Sequence, residues 1–172
     1  MITQQELKEV LFYDPITGVF TWRQNIIYKR GVAKGAVAKY TQGKRAGGVE
    51  HYGYRRIKIN GKTYKEHRLA WLYMYGAFPP HIDHKDGVRD NNRIENLRLA
   101  TNSQNACNRS KSIKNTSGYK GVDFSRASKK WRARIMKNGK RITVGYYDTP
   151  EEAAENYRIA AKEIHGAFYT DR

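Results

Sequence analysis

Ile82-Asp83-His84-Lys85-Asp86-Gly87, followed by Asn96 and then Asn105, is the stretch on which the reading of this chain turns. Pro79-Pro80 just upstream forces extended chain into Ile82-Asp83-His84. A polar loop rich in Gly, Asp and Asn follows, then Asn96-Leu97-Arg98-Leu99-Ala100, which alternates like a strand. Thr101 and Gln104 match a capping box, so a helix is expected from about Asn102. The order is strand, loop, strand, helix. Asp-Gly and Asn-Asn are also ordinary turn formers, so an Asp-His pair alone decides nothing.

Upstream, Glu66 to Tyr75 reads as a helix closed by Gly76. Before it, Tyr54 to Ile59 and Lys62 to Tyr64 flank Asn60-Gly61, a hairpin signal. The first residues offer a short helix (Gln5 to Leu11), then the turn Asp14-Pro15-Ile16-Thr17-Gly18 leading into Val19-Phe20-Thr21-Trp22, then a Gly-rich basic section. Downstream, Ser110 to Ser117 is polar and reads as a linker. Three strands follow, at Tyr119 to Phe124, Trp131 to Met136 and Arg141 to Tyr146, with Asn138-Gly139 joining the last two. Thr149-Pro150-Glu151-Glu152 opens a final helix whose Ala153, Tyr157, Ala160, Ala161 and Ile164 share a face. The domains expected are 1–109, a linker at 110–117, and 118–172.

The chain has 172 residues, enough for one medium or two small domains. Its 33 Lys+Arg against 16 Asp+Glu give a net charge of +17, which points to a polyanionic partner. No apolar run approaches the roughly 18 residues of a membrane span, and the N-terminus lacks a secretory pattern. A single cysteine, Cys107, excludes intrachain disulfides and a Cys-rich zinc site. An intracellular, cytoplasmic protein is expected, with no membrane partner and no small-molecule cofactor.

Acidic, imidazole and carboxamide groups in a phosphate-binding chain suggest metal-assisted phosphodiester hydrolysis. A neutral histidine can take a proton from water, and hard oxygens can hold a divalent ion. His84 supplies the first; Asp83 and Asn105 supply the second. Asn96 can accept the other imidazole N–H and fix the tautomer. One tension stands in this set: neighbours in a regular strand face opposite sides, and Asp83 and His84 are adjacent.

These residues, with His67-Arg68-Leu69-Ala70, Asp90-Asn91-Asn92 and Asn96-Leu97-Arg98, resemble the HNH (ββα-metal) endonucleases, in particular the phage and intron-encoded homing type without structural zinc. The likeness covers residues 54 to 109. It implies His84 as general base, Asn96 as the group orienting it, and Asp83 and Asn105 on one Mg²⁺-type ion, with Mn²⁺ as the alternative. Asn in place of the motif's second histidine suits a hard metal. His67 and Arg68 either touch phosphate or brace the helix. His81, Asp86 and Asp90 read as loop residues, and Cys107 as a small helix-face residue.

A second resemblance rests on Asn115-Thr116-Ser117-Gly118-Tyr119-Lys120-Gly121-Val122, Trp131 to Ile135, Val144 to Thr149 and Glu151-Glu152-Ala153-Ala154. From about 115 to 170 the chain looks like an AP2/ERF-type domain, three antiparallel strands backed by one helix, whose sheet lies in the DNA major groove. Alternation separately puts Trp131, Ala133, Ile135, Ile142 and Val144 toward the helix, and Arg132, Arg134, Met136, Arg141 and Thr143 outward. Eleven basic residues and one acid, Asp123, lie between Lys111 and Arg141. Where plant-type members carry further arginines and tryptophans, this chain has Asp123, Ser125 and Thr143.

The fold class expected is α+β: a ββα-metal nuclease domain with a β-rich lead-in, then a three-stranded antiparallel sheet plus one helix. The function expected is metal-dependent cleavage of double-stranded DNA by a monomer, with Arg68, Lys120, Arg132, Arg134, Arg141 and Thr143 contacting DNA. The alternatives are a non-catalytic DNA-binding regulator and an RNA-binding or RNA-cleaving protein.

Overall fold

Short antiparallel hairpins and four α-helices make up the residues that the computed structural model describes, namely 1–29, 37–107, 115–137 and 139–170. The chain is a mixed α+β protein of two units, Met1–Leu99 and Ala100–Arg172. No helix among the described residues is long and apolar enough to cross a membrane.

In the first unit, α1 (Gln4–Val10) starts at a full capping box between Thr3 and Glu6 and runs directly into β1 (Leu11–Asp14). β1 pairs with β2 (Val19–Trp22) across a turn in which the Asp14 carboxylate accepts from Ile16 N and the Thr17 hydroxyl. β3 (Ile26–Lys29) and β4 (Val37–Tyr40) pair antiparallel; the residues between them, 30–36, lie outside the described residues. β5 (Gly48–Val49), β6 (Arg55–Ile59) and β7 (Lys62–Lys65) form a sheet in that order, with Asn60-Gly61 turning the last pair. α2 (Glu66–Tyr75) follows and ends at a left-handed Gly76. Leu7, Leu11, Tyr13, Phe20, Ile57, Ile59, Leu69 and Ala70, all at most 1% exposed, form one core that locks these elements together.

β8 (Ile82–His84) pairs with β9 (Leu97–Leu99), setting Asp83 opposite Arg98 and His84 opposite Leu97. A 3₁₀ turn at Ile94–Asn96 tightens the approach, so Asn96 ends that turn instead of opening the strand.

The second unit begins with α3 (Asn102–Cys107), capped by Thr101 and Gln104 as expected. β10 (Val122–Ser125), β11 (Lys130–Lys137) and β12 (Lys140–Tyr147) form one antiparallel sheet, and α4 (Pro150–His165) covers it. The segment Tyr119–Gly121, expected as strand, is instead a turn with Gly118 and Gly121 at positive φ. Asn115 and Ser117, read as linker, are tied to this unit by hydrogen bonds to Tyr119 O and Val122 O. The remainder of that linker, 110–114, and Asn138 lie outside the described residues. A register shift at Ala133/Arg134 inserts an extra residue in β12. Val144 still packs on the core, whereas Ile142, expected inward, is exposed.

Candidate active site and nucleic-acid face

His84 closes β8 and is 5% exposed, walled by aromatic rings. The His67 ring meets it edge to face at 5.1 Å, and Tyr54 lies against both. Its Nε2 lies 3.1 Å from Asn92 Oδ1. The Asn92 side chain is itself buried and interacts with the carboxyl of Glu66, which is fully buried. Glu66 Oε2 is paired with Arg55 Nε at 2.8 Å. Burial raises the Glu66 pKa, against the pull of Arg55. Burial also lowers the pKa of His84, against the hydrogen bond to Asn92 and the nearby Asp86 and Asp83 charges. His84 is therefore a neutral imidazole near neutral pH. In the tautomer whose Nε2–H donates to Asn92 Oδ1, Nδ1 carries the lone pair.

Asn92 is held from below by residues far away in sequence. Tyr13, buried in the core, donates its hydroxyl to Asn92 O at 2.6 Å. Gly18, at φ +73°, lets the β1–β2 turn press on the Asn92–Arg93 backbone, where a Cβ would come within 2.4 Å of Arg93 N.

Asn96 was expected to orient His84, yet its carboxamide braces the loop. Nδ2 donates to Asp86 Oδ1 at 2.9 Å and Asn91 O at 2.8 Å, and Oδ1 accepts from Asp86 N at 3.1 Å. The physical reason is the 3₁₀ turn, which directs Asn96 under the loop and leaves Asn92 facing the ring. Asp86 is the loop's hub, also accepting from Val88 N and Asn91 Nδ2. Burial acts against its carboxylate, but these hydrogen bonds outweigh that and hold its pKa below the usual range.

Asp83 is 8% exposed, and its Oδ2 receives both Nε and Nη2 of Arg98, at 2.8 and 2.6 Å. That cross-strand partner aims the carboxylate. Asp83 and Asn105 are hard oxygen donors, the type that suits Mg²⁺; Asn105 stands on α3, in the second unit. Arg68 braces the chain after α2, packing over Phe78 and donating to Pro80 O.

In the second unit the outer sheet face carries Arg132, Arg134, Met136, Arg141, Thr143 and Tyr146. Asp123 accepts from Arg132 Nη2 at 2.7 Å and from Arg134 Nε at 2.8 Å. Lys120, expected to contact DNA, instead donates to Cys107 O and Thr170 O, because the turn at 119–121 directs it behind the sheet. Cys107 lies 3.2 Å from His165 Nδ1, but burial raises the thiol and lowers the imidazole, so the pair stays neutral and carries no thiolate.

Asn92, Glu66, Arg55 and Arg98 went unassigned in sequence. Only Arg98 left a local signal, as the residue facing Asp83 once the strand register is drawn.

An HNH endonuclease family profile matches residues 64–107, and an AP2 domain profile matches 117–167. The chain is similar to Protein 3.8 of Escherichia phage T7, 35% identical over 109 residues that cover 62% of this chain and 89% of that protein. It is also similar to Uncharacterized HNH endonuclease L560 of Acanthamoeba polyphaga mimivirus (36% identical, 59% of this chain, 54% of that protein). A third relative is DNA endonuclease I-HmuI of Bacillus phage SP01 (31% identical, 65% of this chain, 62% of that protein). The chain thus spans less than two thirds of the latter two proteins. No solved structure matches.

Proposed function

The chain belongs to the HNH endonuclease family and is a DNA endonuclease, so we propose metal-dependent hydrolysis of phosphodiester bonds in duplex DNA with His84 as the general base. The observation that carries this reading is the imidazole itself: buried, with that burial lowering its pKa, and held through Nε2 by Asn92. Nδ1 then takes the proton of the attacking water. Asn92, held through its backbone by Tyr13, acts as a positioning residue, and Asn96 acts by fixing the Asp86 loop. Asp83, aimed by Arg98, would be a ligand of the one divalent ion that HNH nucleases use, and Asn105 is the second ligand that the family resemblance implies. That ion, Mg²⁺ or alternatively Mn²⁺, supplies charge neutralisation at the scissile phosphate and leaving oxygen.

The AP2 sheet binds the duplex through Arg132, Arg134, Arg141 and Thr143 and sets where the nuclease acts. A β-sheet fits the major groove, and arginine reads guanine there. One active site cuts one strand, so a monomer nicks.

The test is cleavage of supercoiled plasmid with Mg²⁺, with EDTA, and by the Asp83→Ala, His84→Ala and Asn92→Ala proteins. Metal-dependent open circles are expected from the natural protein. His84→Ala should lose cleavage by about 10²- to 10⁴-fold while retaining DNA affinity. Asn92→Ala should also lose rate, and less of it. Equal loss of cleavage and affinity in His84→Ala would make that histidine structural.

A further inference from the structure

We propose that Asp123 is the specificity-determining residue of the second unit's sheet, because it fixes Arg132 and Arg134 as a paired reader of base edges. The proposal rests on the reading that this sheet binds duplex DNA.

Asp123 and Arg132 face each other across β10 and β11, and Arg134 follows on the same face of β11. One carboxylate serves both arginines: Oδ2 takes Arg132 Nη2 at 2.7 Å, and Oδ1 takes Arg134 Nε and Nη2 at 2.8 and 2.7 Å. Arg132 also interacts with Tyr146, its partner on β12, so it is gripped from both neighbouring strands. All three charged side chains are about one quarter to one third exposed, at 25%, 27% and 34% for Arg132, Arg134 and Asp123.

Stability does not explain the carboxylate, since partly exposed ion pairs contribute little to it. Phosphate attraction does not explain it either. An acid amid Arg132, Arg134 and Arg141 subtracts from the field that draws in the DNA backbone. What the carboxylate does supply is order. A free arginine sweeps many rotamers and takes whichever phosphate it meets; an arginine held by a carboxylate has its planar fork already aimed, so less freedom is lost on binding. Asp123 therefore trades indiscriminate affinity for discrimination between bases.

The experiment uses the full chain in EDTA. Randomised duplexes are selected first; the selected and scrambled sequences are then titrated at several salt concentrations. The natural protein is compared with Asp123→Ala, with Asp123→Asn, and with an Arg132→Ala/Arg134→Ala double variant. Both Asp123 variants should bind scrambled duplex as tightly as the natural protein or more tightly. Their preference for the selected sequence should shrink by roughly tenfold or more, the scale of one bidentate base contact. The salt slope should steepen by about 0.9 for each arginine that turns to phosphate. If both Asp123 variants keep the selected sequence and its full preference while the double arginine variant loses them, Asp123 is not the determinant and the proposal falls. If the double arginine variant binds like the natural protein, the sheet is not the reader, and the underlying reading falls with it.

Discussion

Burial pulls the His67 imidazole down to about 3, aided by its neighbours His84, Lys65 and Arg68, so the fold keeps it neutral where the unfolded chain would protonate it. Between about pH 6.5 and 3 the unfolded state binds a proton that the native state refuses. Stability is therefore complete above the unfolded value and falls as the pH drops, by at most about 1.4 kcal/mol per pH unit. A His67→Gln protein should lose about 3 kcal/mol less than the natural protein between pH 7 and pH 4, measured by urea unfolding at each pH. A parallel decline in both would mean that His67 is not the acid-sensitive group. The same crowding explains what was legible at this scale. His84 and Asp83 stood out because chemistry selects their residue types. Asn92 did not, because its role depends on a loop folding back over eight positions and on Glu66 arriving from another element. No periodicity encodes such a meeting.

Helices and hairpins with chemical punctuation were read nearly to the residue. α2 ends at Gly76, α3 starts behind Thr101, and α4 starts at Pro150 behind Thr149. The sequence reading lacks four strands: β1, which follows α1 without a break, β3 and β4, which lie in the section read only as Gly-rich and basic, and β5, which has two residues. The turn at 119–121 reads as strand in the sequence because Gly121 looks like a loose strand residue until α4 is in place. Gly121 shows why a side chain is excluded: at φ +75°, its Cβ would lie 2.1 Å from the Tyr157 ring. Gly121→Ala should therefore loosen α4 from the sheet, lowering the stability of the second unit by at least 1–3 kcal/mol, roughly the cost of an overpacked core. Amide hydrogen exchange should show that loss over Pro150–His165 with little change over Glu66–Tyr75. Equal protection in both helices of variant and natural protein would mean that Tyr157 can step aside.

The net charge of +17 belongs to the chain as a whole, and DNA affinity should register it. Each phosphate neutralised contributes about −0.9 to the slope of log affinity against log salt, so several contacts give a steep dependence. A slope near zero in an EDTA titration would remove phosphate binding as the reason for the charge. The charge balance and the two motif blocks made the α+β, two-part organisation legible; the lead-in's role was not, because residues 1–53 carry no chemical signature of their own. Yet Tyr13 and Gly18, from that lead-in, hold the backbone of Asn92, and Arg55 holds Glu66 beside it. The nuclease is thus not a portable cassette. Residues 64–107 transplanted into a foreign scaffold would bring the histidine and leave behind its footing, so a working graft has to reach back at least to β1.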